Sequence, residues 1–170
     1  MTLKLIVGLG NPGPQYQDTR HNAGAWFASQ IADQHHQSFK VDSKFKGLVT
    51  QIQLGTHLCR IAIPTTYMNL SGDTVLALSQ FYNIAPSEIL IAHDELDLPS
   101  GTVRVKFEGG HGGHNGLRDI FAKLGTRSFY RLRIGIGHPG HKDDVSNYVL
   151  HKPSVEDKKQ IIQGLNNALD

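Results

Sequence analysis

Short apolar runs broken by glycine and proline set the pattern of this chain. The run from Leu3 to Leu9 ends in a glycine turn and predicts a buried strand. From Ala23 to His36, the placement of Trp26, Phe27 and Ile31 predicts a helix. Leu48 to Leu54 and Leu58 to Ile63 flank Gly55-Thr56, which predicts a hairpin. Ser71 is placed to cap a helix running to Tyr82. Pro86 and Ser87 then lead into a strand from Glu88 to His93, and a turn at Leu98-Pro99-Ser100-Gly101 precedes another from Thr102 to Phe107. After the loop Glu108 to Asn115, a helix from Gly116 to Leu124 is ended by Gly125. Tyr130 to Ile136 is a further strand, and Ser154 with Asp157 resembles a capping box for a last helix to Leu169, with Asp where Glu or Gln is preferred. Strands interleaved with helices predict an α/β single domain: a mixed, twisted β-sheet flanked by helices on both faces. The hairpin requires some of the pairing to be antiparallel.

Composition narrows the class without naming a function. A chain of 170 residues fits one domain with one sizeable core. No apolar run is long enough to span a bilayer, and the start MTLKLIVGLG lacks a signal-peptide layout. Cys59 is the only cysteine, so no internal disulfide forms, which suits a reducing cytoplasm. The formal net charge of +2, with ten histidines besides, is only mildly basic. Any RNA role must rest on local basic residues rather than on bulk charge.

Candidate chemistry begins at Gly8-Leu9-Gly10-Asn11-Pro12-Gly13, which matches the dinucleotide fingerprint G-x-G-x-x-G. That fingerprint needs a helix opening within the glycines. Here Pro12 and Pro14 remove amide donors, and the next helix starts only near His21. The segment therefore predicts a tight turn projecting Asn11 into a crevice, and no cofactor is expected. His21 stands near a helix start, where the dipole favours the neutral imidazole that a general base must be. Asp94 ends an apolar strand at the edge where α/β folds place their sites, although Asp94 and Glu95 read equally well as a solvated turn. If both lie in one crevice, the carboxylate would fix the imidazole tautomer. No G-x-S-x-G is present and Cys59 lies mid-strand, so hydrolysis would use an activated water. Asn69 reads as a local cap or as an amide for a peptide backbone. His111 and His114 form H-x-x-H in a glycine-rich loop that does not preset ligand geometry, and with no cysteine cluster or H-E-x-x-H no metal is expected. Arg104, Lys106, Arg118, Lys123, Arg127, Arg131 and Arg133 supply basic side chains, either for phosphate or as a solvated sheet face.

In order, GLGNPG, TRHNAG, PTTYMNLSG, AHDELDLPSG and GGHGGHNGL resemble the bacterial-type peptidyl-tRNA hydrolases. The similarity extends through RLRIGIGHPG and YVLHKP. Those enzymes cut the ester between a peptide and the 3′ ribose of tRNA without a cofactor. The resemblance implies His21 as the base and Asp94 as its orienting partner. It implies Asn11, Asn69 and Asn115 as holders of peptide, water and oxyanion, Tyr67 and Met68 as lining of the crevice, and His114 as part of its gate. Lys106 and Arg133 match a pair that clamps the tRNA 5′-phosphate. A monomer acting on peptidyl-tRNA in the cytoplasm, away from membranes, is the corresponding expectation. The family usually continues into a further C-terminal helical region, so this sequence is either truncated or naturally short. Competing readings are a non-catalytic RNA-binding protein on the same scaffold and a peptidase on a similar fold.

Overall fold

The computed structural model describes residues 2–169. Its strands are β1 (Leu5–Gly8), β2 (Lys40–Asp42), β3 (Gly47–Leu54), β4 (His57–Pro64), β5 (Ile89–Glu95), β6 (Val103–Phe107) and β7 (Tyr130–Gly135). Its helices are α1 (Ala23–Gln34), α2 (Ser71–Phe81), α3 (Asn115–Leu124), α4 (Val145–Val149) and α5 (Val155–Ala168). The sheet runs β2-β3-β4-β1-β5-β7-β6. Its centre, β4-β1-β5-β7, is parallel, whereas β2 and β3 at one edge and β6 at the other pair antiparallel.

Strand alternation sorts the apolar side chains between two layers. Ile6, Leu90, Ala92, Leu132 and Ile134 face one core with Phe27 and Ile31 of α1 and Ile161 and Leu165 of α5. Leu5, Val7, Ile89 and Ile91 face the other with Val75 and Leu78 of α2 and Leu117 and Ile120 of α3. Every residue of β1 is buried, and so is β5 through Asp94, as expected for strands covered on both faces. The mixed α/β sheet with helices on both faces is therefore as the sequence predicts.

Two features position the site. First, β1 is paired with β4 on one side and β5 on the other, so the chain reverses direction across the sheet at β1, and the crevice lies beyond the carboxyl ends of these strands. Second, α1 lies very close to the sheet. A Cβ on Gly24 would stand 2.1 Å from the carbonyl oxygen of Ala92, and one on Gly8 would stand 2.2 Å from that of Gly24. Only glycines allow this approach, and it holds the start of α1 directly beside the end of β5.

The sequence reading misplaces some details. Ser71 is not a cap: it is the first residue of α2, and its hydroxyl donates back to the Met68 carbonyl at 2.7 Å. The helix after the glycine-rich loop starts one residue earlier than expected and is capped by the His114 ring. Ser154 does accept from the Asp157 amide, at 3.1 Å. β2 and α4 were not anticipated; β2 has three residues with Val41 exposed, and α4 has five, too few for either to show a period. No helix among the described residues is long and apolar enough to cross a membrane.

Candidate active site

A cleft of roughly 670 Å³ opens at the carboxyl ends of β1 and β5. Its lining includes Asn11, His21, Tyr67, Met68, Asn69, Asp94, His114 and Asn115, which the sequence singles out from widely separated segments. The carboxylate of Asp94, 4% exposed, lies at the bottom. His21, in a 3-10 turn just ahead of α1, places Nδ1 3.0 Å from each of its oxygens. His114 places Nε2 2.8 Å from Oδ1.

Backbone contacts fix the proton positions. The amides of Gly116 and Leu117 donate to His114 Nδ1 at 3.1 and 3.3 Å. That nitrogen therefore bears the lone pair, the proton sits on Nε2, and it is donated to Asp94. Burial lowers the pKa of His114 despite the pull of Asp94, so its ring stays neutral. Burial alone would raise the Asp94 carboxyl, but the two imidazoles hold it far below the usual carboxylate range. An ionised Asp94 can only accept, so His21 donates from Nδ1 and keeps its lone pair on Nε2. For His21, burial lowers the pKa, but the charge and hydrogen bond of Asp94 outweigh it and the net shift is upward.

Asn11 is held as tightly. A single side chain satisfies both of its backbone groups: Asn11 N–H donates to Asn22 Oδ1 and Asn22 Nδ2 donates to the Asn11 carbonyl, both at 2.9 Å. The Met68 amide donates to Asn11 Oδ1 at 2.7 Å, and among the described residues Asn11 Nδ2 has no acceptor. Asn69 and Tyr67 are exposed at the rim, and Tyr67 meets Tyr16 edge to face. Asn115, exposed at the start of α3, accepts from Arg118 through Oδ1 at 3.2 Å and keeps its amide nitrogen available.

His21, Asp94 and His114 are a group whose potential metal-ligating atoms lie within 4.8 Å of one another. A metal fits them poorly, because the His114 nitrogen that faces Asp94 carries a proton and both Asp94 oxygens already accept from imidazoles. His111, the other half of H-x-x-H, instead accepts from the Gly113 amide and lies against Phe121.

The basic residues separate into distinct environments. Arg104 is directly opposite Arg133 and Lys106 opposite Arg131 across β6 and β7, so all four share one face. Lys106 and Arg133 are thus diagonal neighbours, and Arg133 Nε donates to Glu95 Oε1 at 2.8 Å. Lys123 lies elsewhere, paired with Asp73 and Asp119. The reading of Arg131 as part of a solvated face is corrected: it is 4% exposed and bonded to His93.

The profile described as peptidyl-tRNA hydrolase matches residues 5–170. The chain belongs to the peptidyl-tRNA hydrolase family. A peptidyl-tRNA hydrolase of Legionella pneumophila (strain Paris) is 57% identical over 169 residues, covering 99% of this chain and 89% of that protein. One of Edwardsiella ictaluri is 56% identical, covering 99% of this chain and 87% of that protein. The crystal structure of the Acinetobacter baumannii peptidyl-tRNA hydrolase superposes with a TM-score of 0.95 at 51% identity, over 98% of this chain and 85% of that one.

Sequence reasoning missed Asn22 and His93 in this peptidyl-tRNA hydrolase fold, and gave Arg131 only a phosphate-binding or solvated role. Asn22 adjoins His21, and that adjacency was the available signal; the other two meet only because β5 and β7 pair. Asn22→Ala leaves two backbone groups of Asn11 unpaired. It should cost about 1–3 kcal/mol in denaturant unfolding, and it should lower kcat because Asn11 loses its fixed position. An unchanged kcat in the folded variant would show that Asn11 needs no such support.

Proposed function

We propose that this chain hydrolyses the ester between a peptide and the 3′ ribose of tRNA, using water activated by His21. The observation that carries this reading is the buried Asp94 carboxylate on His21 Nδ1, which leaves Nε2 with its lone pair beside the cleft and close in the fold to the side-chain amide of Asn11. His21 Nε2 takes a proton from water as the oxygen attacks the ester carbonyl. The resulting oxyanion accepts from amide donors, the roles we give to Asn11, Asn69 and Asn115 of the cleft lining. When the tetrahedral intermediate collapses, the proton on His21 passes to the departing ribose 3′ oxygen. Asp94 holds the imidazole and supports its transient positive charge. His114, at the end of the glycine-rich loop, keeps a second hydrogen bond on Asp94 and closes that side of the cleft. Tyr67 and Met68 line the path of the peptide. A non-catalytic RNA-binding role would have no use for this paired imidazole and carboxylate.

No cofactor or metal enters this scheme. Lys106 and Arg133 are the proposed clamp for the tRNA 5′-phosphate, with charge-assisted bonds roughly twice as strong as neutral ones. The enzyme is proposed to act as a monomer in the cytoplasm.

Release of N-blocked amino acids from tRNA by the purified chain tests the reaction. The base must be neutral, so activity is present above the His21 pKa and is lost as pH falls through it. Because that pKa is raised, the acid limb of the kcat profile should lie above the ordinary imidazole value of about 6.5. His21→Ala should lose on the order of 100-fold or more; wild-type turnover in that variant would overturn the mechanism. Replacing Lys106 and Arg133 together with Ala should weaken binding of 5′-phosphorylated tRNA and lessen its salt dependence. If dephosphorylation weakens binding equally in wild type and double variant, this pair is not the clamp.

A further inference from the structure

Two buried groups beside the site have no part in the proposed chemistry. His93 precedes Asp94 on β5 and is 1% exposed; Arg131, on β7, is 4% exposed. Both lie on the sheet face opposite to the Asp94 side chain, since side chains alternate along a strand. β1 pairs with β5 only as far as Gly8 and Ala92. The carbonyl of Asp94 therefore lies past the end of β1, without a ladder partner on that side. His93 supplies the missing donor, with Nδ1 2.9 Å from that oxygen. Its other nitrogen, Nε2, accepts from Arg131 Nε at 3.2 Å. An imidazole that donates through one nitrogen and accepts through the other is neutral and confined to one tautomer.

Arg131 is tied in a second direction. Its Nη1 donates to the carbonyls of Glu108 and Gly110, at 3.3 and 2.6 Å. These carbonyls open the glycine-rich loop whose far end carries His114. Among the described residues no carboxylate pairs with Arg131, because Glu95 is taken by Arg133. A buried cation is costly unless its donors are satisfied, and here the His93 ring takes the Nε donor and two loop carbonyls take Nη1. The two ends of the network meet again at Asp94: its backbone is held by His93, and its carboxylate by His114.

We infer that His93 and Arg131 are positioning residues for the hydrolysis, fixing the Asp94 backbone and the start of the glycine-rich loop so that the Asp94 carboxylate meets both His21 and His114. This inference rests on the proposed pairing of Asp94 with His21. The groups facing His93 are Arg131 from β7, His114 from the loop ahead of α3, and Asp94 on its own strand; those facing His21 are Asp94 and His114. Burial, with the nearby His114 and Arg131, lowers the His93 pKa to about 3, so His93 itself does not titrate near neutrality. Its loss acts through the placement of Asp94.

His93→Gln keeps an acceptor toward Arg131 near the Nε2 position and moves the amide donor away from the Asp94 carbonyl. Arg131→Lys keeps the charge but cannot reach the ring and both loop carbonyls at once. Each should lower kcat on N-blocked aminoacyl-tRNA by about tenfold or more, since small misplacements of catalytic groups are costly, with KM changed by less than roughly twofold. In His93→Gln the acid limb of kcat should also move to lower pH, because a displaced Asp94 no longer holds the His21 pKa up. A loss of folded protein alone would leave that limb in place. His93→Asn, which restores a donor near the Nδ1 position, should recover part of the rate and return the limb toward that of the wild type. Should His93→Gln fail to fold, Arg131→Lys and His93→Asn carry the kcat and pH readouts. Wild-type kcat and an unmoved limb in the folded variants, with Asp94→Asn impaired, would overturn this inference and leave the Asp94 reading intact. An unimpaired Asp94→Asn would overturn both.

Discussion

The arrangement turns on one buried carboxylate shared by two imidazoles. A carboxylate removed from water costs several kcal/mol unless donors replace the lost solvation. Asp94 receives those donors from opposite sides: His21 Nδ1 from the start of α1 and His114 Nε2 from the start of α3. The two helices lie on opposite faces of the sheet, so the carboxylate joins both layers at the point where β1 and β5 end. Because Asp94 is satisfied in this way it remains ionised. Its negative charge then makes His21 a stronger base than an equally buried imidazole without a partner.

Close backbone packing makes this meeting possible. Gly8 and Gly24 let α1 rest on β1 and β5 with no side chain between them, which brings His21 within hydrogen-bond reach of Asp94. The glycine-rich loop serves the other side. Gly112 and Gly113 adopt φ values of +57° and +82°, and this local geometry turns the chain so that His114 points inward while its Nδ1 caps α3. One ring therefore performs two tasks, and the capping contact is what dictates where its proton resides. Asn22 applies the same economy of parts to Asn11, using both ends of one amide to fix a neighbouring loop.

Much of this was legible in the sequence, for identifiable reasons. The strand β1 and the first four residues of β5 are apolar runs, and the polar change at His93-Asp94 marks where chemistry begins while the chain is still buried. His21, Asn11 and Asn69 stood at element boundaries, where side chains can converge on a crevice, and their roles came from the resemblance of the motifs. Less accessible were contacts that depend on strand order. Arg131 looked like half of a solvated stripe with Arg133, because alternation gives the shared face but not what covers it. The loop from Glu108 to Gly110 covers Arg131, while Arg133 is left to meet Glu95. α4 was invisible because five residues carry no period, although it walls the cleft with Val145 and Val149. His114 was expected at a gate; its contact with the Asp94 carboxylate required the fold.

The central claim is that Asp94 fixes opposite tautomers on its two imidazoles, and nitrogen-15 NMR of the histidine rings measures this most directly. At a pH above the His21 pKa, the account predicts His21 with its proton on Nδ1 and a bare Nε2, and His114 with its proton on Nε2 and a bare Nδ1. In Asp94→Asn, His21 should lose this strong preference. A wild-type spectrum with His21 protonated on Nε2, or His114 protonated on Nδ1, would contradict the account.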